Sequence, residues 1–122
     1  MRRFFRKGGY GQKGMGRINT DPFYKTKRWD KLRGAALKRD GYQCQYNKCF
    51  GRLVPATIVH HVLPRSIYPE YQYEMWNLIS LSKSAHEMMH NRSGTELSDK
   101  GKKLAIRICR KYHKYIPEGV LT

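Results

Sequence analysis

Thr57-Ile58-Val59-His60-His61-Val62-Leu63-Pro64 is the stretch on which the reading of this chain turns. Thr57, Ile58 and Val59 are β-branched and favour extended backbone, so His60 and His61 are expected at the end of a strand. Successive side chains on a strand point to opposite faces. At most one of these imidazoles therefore joins a given metal ion, while the other faces elsewhere. One ligand beside one separate base is the arrangement that metal-assisted hydrolysis requires. Two consecutive polar residues are poor core material, so burial without function explains the pair less well.

Reading on from the pair, Pro64 and Pro69 keep residues 64–76 irregular, and Leu78 to Leu81 forms a short apolar run. Ser82 or Ser84 is placed to cap a helix carrying His86, Met89 and His90. The i, i+4 spacing puts His86 and His90 on one helix face, where two imidazoles can share one metal ion. Ser98 or Asp99 opens a last helix, with Leu104, Ala105, Ile108, Cys109 and Tyr112 on one stripe.

Reading back towards the N-terminus, residues 42–62 change in texture. Cys44 to Cys49 reads as a tight loop, Gly51 and Pro55 as turn signals, and the segment as a β-hairpin that delivers His60 and His61 at its far end. Before it, Trp29, Leu32 and Ala36 fall on one face of a helix that Thr26 caps and Asp40-Gly41 ends. Residues 1–22 form a basic, glycine-rich arm, expected to be flexible, in which Arg2, Arg3, Arg6 and Lys7 are candidate phosphate contacts. The expected organisation is that arm, a folded domain over residues 23–116 with its C-terminal helix from about 98, and a tail over 117–122.

Lys and Arg number 25 against 9 acidic residues, a formal charge of +16 over 122 residues. Self-repulsion at this level works against compactness, and a polyanionic partner is the usual compensation. The cations are spread along the chain, not confined to one amphipathic helix, which favours nucleic acid over a membrane surface. No apolar run is long enough to span a bilayer, and Met1 to Lys7 lacks the apolar core of a secretory signal, so a cytoplasmic location is expected. Three cysteines cannot all pair with one another; metal ligation or simple burial suits them better than a disulfide framework.

Taken together, the run from Trp29 through Leu37-Lys38-Arg39-Asp40-Gly41-Tyr42-Gln43-Cys44-Gln45, then Ile58 to Pro64, Trp76-Asn77-Leu78-Ile79-Ser80-Leu81 and His86-Glu87-Met88-Met89-His90-Asn91-Arg92 resembles the HNH endonucleases. It is most similar to the small enzymes of tailed bacteriophages and prophages, over roughly residues 23–92. The resemblance implies an α+β fold: a ββα-metal core, made of a β-hairpin and a metal-binding helix, flanked by N- and C-terminal helices. It implies DNA phosphodiester hydrolysis with His61 as general base and Asn77 as the residue that orients it. His60 and His86 match metal ligands, and His90 matches an additional ligand of the colicin-type toxin nucleases. One divalent cation is implied, with Zn²⁺, Ni²⁺ or Mn²⁺ suiting imidazoles better than Mg²⁺, which remains open. Arg65, four residues beyond His61, is a candidate phosphate contact. The phage resemblance also implies a place in DNA packaging or maturation beside a terminase.

The sequence departs from this family in one respect. Many phage members hold a structural zinc with two Cys-x-x-Cys knuckles. Here the first survives as Cys44-x4-Cys49, and the second, due at Ser82 and Ala85, is gone. Cys109 and His113, i and i+4 on the last helix, are candidates to complete a Cys3His zinc site with Cys44 and Cys49. The rival expectations are an inactive DNA-binding module on the same scaffold and a nuclease acting on RNA.

Overall fold

The computed structural model describes residues 21–92, 94 and 96–122. The chain divides into two units, Met1–Asp30 and Lys31–Thr122. In the first, Asp21 accepts a hydrogen bond from the Phe23 amide (2.9 Å) and caps a 3-10 turn over Pro22–Lys25. The rings of Phe23 and Tyr24 pack on buried Trp29 with centroids 5.3 and 5.4 Å away. Helix α1 (Lys27–Arg39) begins here, and Thr26 Oγ1 accepts from the Trp29 amide at 3.1 Å, as the capping pattern predicts. It stops where expected: Gly41 takes φ +63° and Tyr42 follows it at +59°.

In the second unit the sheet is one antiparallel pair. Strand β1 (Ile58–His61) faces β2 (Leu78–Leu81) in the register Ile58↔Leu81, Val59↔Ser80, His60↔Ile79, His61↔Leu78. This corrects the expected hairpin over residues 42–62. Between Gln43 and Pro55 there is only an isolated bridge, and Gln45–Lys48 coils into a short helix, α2. Leu78–Leu81 is the better partner because it is buried throughout and supplies a continuous ladder that Pro55 cannot. The outer edges are covered by side chains of α1 and the turn after it. Asp40 accepts from the Ser80 amide (3.0 Å), Arg39 donates to the Met75 carbonyl (2.8 Å), and Arg33 donates to the Thr57 carbonyl (3.0 Å).

Ser82 then caps α3 (Lys83–Met88) through the Ala85 amide at 3.2 Å, and Ser98 caps α4 (Asp99–Lys111) through the Gly101 amide at 3.2 Å. Leu104, Ala105, Ile108 and Cys109 form the buried stripe of α4, while Tyr112 lies at the surface. They meet Val62, Leu63, Ile79, Leu81 and Met89 in one core. Each large side chain buried there contributes roughly 1.5–3 kcal/mol. The chain over 117–122 is more than the expected tail: Glu118–Leu121 forms α5, and Val120 is buried in the same core. No helix among the described residues is long and apolar enough to cross a membrane.

Candidate active site and metal centre

Three histidines from two elements converge. His60 leaves the buried end of β1; His86 lies inside α3; His90 follows the α3 C-cap Met89 and is held by a bridge to Leu97. Met89 keeps helical backbone and is fully buried, so the chain turns far enough to bring His90 beside His86. Ring centroids lie 5.2 Å apart for His60 and His86, 5.3 Å for His60 and His90, and 5.0 Å for His86 and His90. One ring nitrogen from each falls within 4.8 Å of the others. His60 Nε2 and His90 Nδ1 are buried without a hydrogen-bond partner. Orphaned polar atoms of this kind are costly unless something accepts their lone pairs.

Electrostatics keeps the cluster neutral. Burial pushes His60 well below the usual imidazole range, and the neighbouring His86, His90 and His61 push it further. Burial, then the proximity of His90, brings His86 down to about 4, and burial lowers His90. Neutral imidazole is the ligating form, so the chain presents three nitrogen donors already deprotonated. Three protein ligands are the donor count of a catalytic centre rather than of a closed, four-ligand structural one. The residues therefore fit a divalent cation of the borderline class.

His61 stands apart from this group. Its Nε2 lies 3.0 Å from the Gln72 carbonyl oxygen. A carbonyl only accepts, so neutral His61 carries its proton on Nε2 and Nδ1 is the basic nitrogen. Burial lowers the His61 pKa, the Gln72 carbonyl partly restores it, and the nearby charge of Arg65 lowers it again.

Asn77 is fully buried, and its hydrogen bonds go to the backbone around His61. Its Oδ1 accepts from the Leu63 amide at 2.8 Å, and its Nδ2 donates to the carbonyls of Leu63 (3.2 Å) and Tyr71 (3.1 Å). Its own carbonyl accepts from the Val62 amide at 2.9 Å. These bonds close the 62–77 connection and set Gln72, one residue after Tyr71, against the imidazole. Gln72 is the contact that sequence reasoning missed. It acts through its backbone carbonyl, which no side-chain pattern reveals. Arg65 lies beside this group, its Nη1 3.5 Å from Gln72 Oε1. Arg2, Arg3, Arg6 and Lys7 lie outside the described residues.

The proposed Cys3His zinc set is not brought together. The one group of three or more metal-ligating side chains among the described residues is His60, His86 and His90. Helix α4 ends at Lys111 and His113 takes φ +57°, which breaks the i, i+4 relation to Cys109 and leaves His113 exposed. Cys49 is exposed, with its thiol 3.4 Å from the Gln45 carbonyl, whereas Cys44 and Cys109 are buried in the core. Burial raises the Cys109 thiol. Burial also acts to raise Cys44, but hydrogen bonds from Asn47 and Ser82 outweigh it and bring the pKa below its ordinary value. Ser82 occupies the place where a second knuckle would supply a thiolate. Here it contacts Cys44 and caps α3 instead.

Among solved structures, the chain is similar to the HNH endonuclease of the deep-sea thermophilic bacteriophage GVE2, crystallised with manganese ion. The two share 32% identity with a TM-score of 0.53, over 54% of this chain and 72% of that one. No protein-family profile and no curated protein sequence matches the chain.

Proposed function

Because the chain belongs to the HNH endonuclease family, we propose that it hydrolyses DNA phosphodiester bonds with one divalent cation, using His61 as general base. The observation that carries this reading is the neutral cluster of His60, His86 and His90 next in sequence to a differently oriented His61. His60, His86 and His90 would hold the ion. When bound, it supplies Lewis-acid stabilisation of charge on the phosphate and on the leaving oxygen.

The remaining work falls to the chain. His61 Nδ1 takes the proton from a water molecule as its oxygen bonds to phosphorus, and the bond from phosphorus to the 3′-oxygen breaks. The Gln72 carbonyl holds the Nε2 proton and so fixes the tautomer in which Nδ1 is basic. The same contact stabilises the imidazolium formed after proton transfer. Asn77 is a positioning residue, acting through the backbone that carries Gln72. Arg65 is assigned a phosphate contact, and burial, with a smaller contribution from the charge of Arg65, lowers the His61 pKa and favours the neutral form. DNA as the substrate rests on the charge of +16 and the family resemblance. A role in phage genome maturation beside a terminase rests on the resemblance alone.

The test is nicking of supercoiled plasmid by metal-stripped protein reconstituted with Mn²⁺, Mg²⁺, Ni²⁺ or Zn²⁺, run beside His61→Ala and His86→Ala. Expected are metal-dependent nicking by the wild type, loss in His61→Ala with metal still bound, and loss of metal binding in His86→Ala. Nicking that persists in His61→Ala would reject the base assignment. Absence of cleavage with every metal would reject the enzyme reading, and cleavage of RNA but not DNA would reject the substrate.

A further inference from the structure

A cleft of about 230 Å³ lies between the end of α1, α2, the start of β2 and α4, and no residue of the histidine site lines it. Four cations from three helices converge there: Arg39 from α1, Lys48 from α2, and Arg107 and Lys111 from α4. The acid in the lining, Asp40, is already committed, paired with Arg39 at 2.9 Å and accepting from the Ser80 amide. Lys48, Arg107 and Lys111 thus bring three charges to one concavity with no carboxylate left to neutralise them. Trp76 and Tyr112 also line it, and Lys114 extends towards the Trp76 ring, 5.7 Å from its centroid.

The rest of α4 continues the same charge. Outside its buried stripe it carries Lys100, Lys102, Lys103, Arg107, Arg110 and Lys111, against Asp99. Arg110 and Lys111 suit the negative end of the helix dipole, which gives them a structural explanation. Lys100 and Lys102 do not share it: they follow within a turn of the N-cap Ser98, where the dipole disfavours cations. Like charges at i, i+3 and i, i+4, such as Lys103 with Arg107 and Arg107 with Lys111, cost the helix further stability. A charge arrangement that opposes the helix bearing it is offset by a polyanion laid along it.

We propose that this cleft and the outer face of α4 form a second nucleic-acid site, binding backbone phosphates of the substrate away from the bond that is cut. The proposal rests on the nuclease reading for its choice of polyanion, but the two are separable by experiment. Binding of a fluorescent DNA duplex is measured from 50 to 300 mM salt for wild type, for the triple variant Lys48→Gln/Arg107→Gln/Lys111→Gln, and for a control. The control removes the same charge from exposed positions outside the cleft, Lys31→Gln/Lys38→Gln/Arg52→Gln. All six side chains are exposed, so folding is expected to survive, and circular dichroism checks it.

Neutralising a phosphate contact lowers the slope of log affinity against log salt by roughly one. The cleft variant is therefore expected to flatten the slope by about three, to bind at least tenfold more weakly near 100 mM salt, and to raise KM for cleavage with kcat retained. Wild-type slope and affinity in the cleft variant, or equal losses in both triple variants, would overturn the proposal. A wild type that binds DNA through the cleft yet never cleaves would instead reject the nuclease reading and leave this site standing.

Discussion

Replacing Gly101 by alanine sets helix propensity against packing, and the structure says which wins. Gly101 lies in the first turn of α4, where alanine taken alone favours the helix by up to about 1 kcal/mol. A Cβ built at this position, however, falls 2.2 Å from the Met89 carbonyl oxygen and 3.0 Å from Leu97 Cδ2. The helix and the Met89 backbone must separate by about an ångström to reach ordinary contact, and overpacking of this kind costs roughly 1–3 kcal/mol. The Ser98 amide also donates to the Met89 carbonyl at 2.9 Å, and the same displacement strains that bond, worth about 1 kcal/mol. The expected net effect is a loss of about 1–3 kcal/mol, read as a lower urea midpoint with unchanged m-value in the metal-free protein. Because Met89 precedes His90, metal affinity should fall as well. The internal control is Gly34→Ala in α1, where nothing lies within 4 Å of the added carbon. That variant is expected to gain about 0.5–1 kcal/mol. If Gly101→Ala is as stable as wild type while Gly34→Ala behaves as described, α4 is not seated against Met89 and the placement of His90 loses its support.

Other outcomes follow from the same geometry. Asn77→Ala leaves the Leu63 amide and two carbonyls without their buried partner, so a loss of about 3–5 kcal/mol in denaturant titration is expected; a loss under 1 kcal/mol would mean that water replaces the amide. Metal-free stability should fall on acidification from the ordinary histidine pKa of 6.5 towards about 4, the window set by His86. Above 6.5 neither state binds the proton, and through the window the unfolded chain takes it up while the folded chain resists. That makes stability rise with pH there, by no more than about 3 kcal/mol from His86 and less as solvent screens the ring; a flat profile from pH 7 to 4 would contradict a buried neutral cluster. Mn²⁺ at a hundredfold excess over its Kd should raise wild-type stability by about 2.7 kcal/mol in calorimetry. The same titration should leave His60→Ala nearly unmoved, and an equal gain in that variant would place the ion elsewhere.

Much of this architecture was legible because it rests on short-range rules. Thr26, Ser82 and Ser98 cap the helices that their positions predict, and Asp40-Gly41 ends α1 as glycine punctuation implies. The alternation of His60 and His61 needed only the strand period, whereas His90 lies past the end of α3 and comes beside His86 through the helical backbone of Met89. What the sequence concealed depends on distant contacts. The partner of β1 comes from twenty residues further on, across a connection whose prolines reveal irregularity but not its path. Gln72 enters through a carbonyl that every residue possesses. The zinc set is not assembled because Cys49 is exposed with its thiol on the Gln45 carbonyl, and His113, two residues past the end of α4, takes φ +57° and is exposed, neither of which the spacing alone reveals. Val120 was hidden for a related reason: a few apolar residues at the end of a chain carry no period, and only the existing core gives them a place.

The separation of roles between His60 and His61 is the property on which the proposed chemistry depends, and strand geometry enforces it. In the observed register His60 lies opposite Ile79 and His61 opposite Leu78, so their side chains leave opposite faces of β1. A slip of one residue would exchange them, sending the proposed base His61 to the histidine cluster and the proposed ligand His60 towards Gln72. Several independent contacts oppose that slip: Asp40 on the Ser80 amide, Arg33 on the Thr57 carbonyl, and Asn77 holding both backbone groups of Leu63. Asn77 therefore acts on both halves of the site at once. It anchors the strand end that divides the two histidines, and it sets the connection whose carbonyl selects the tautomer of His61.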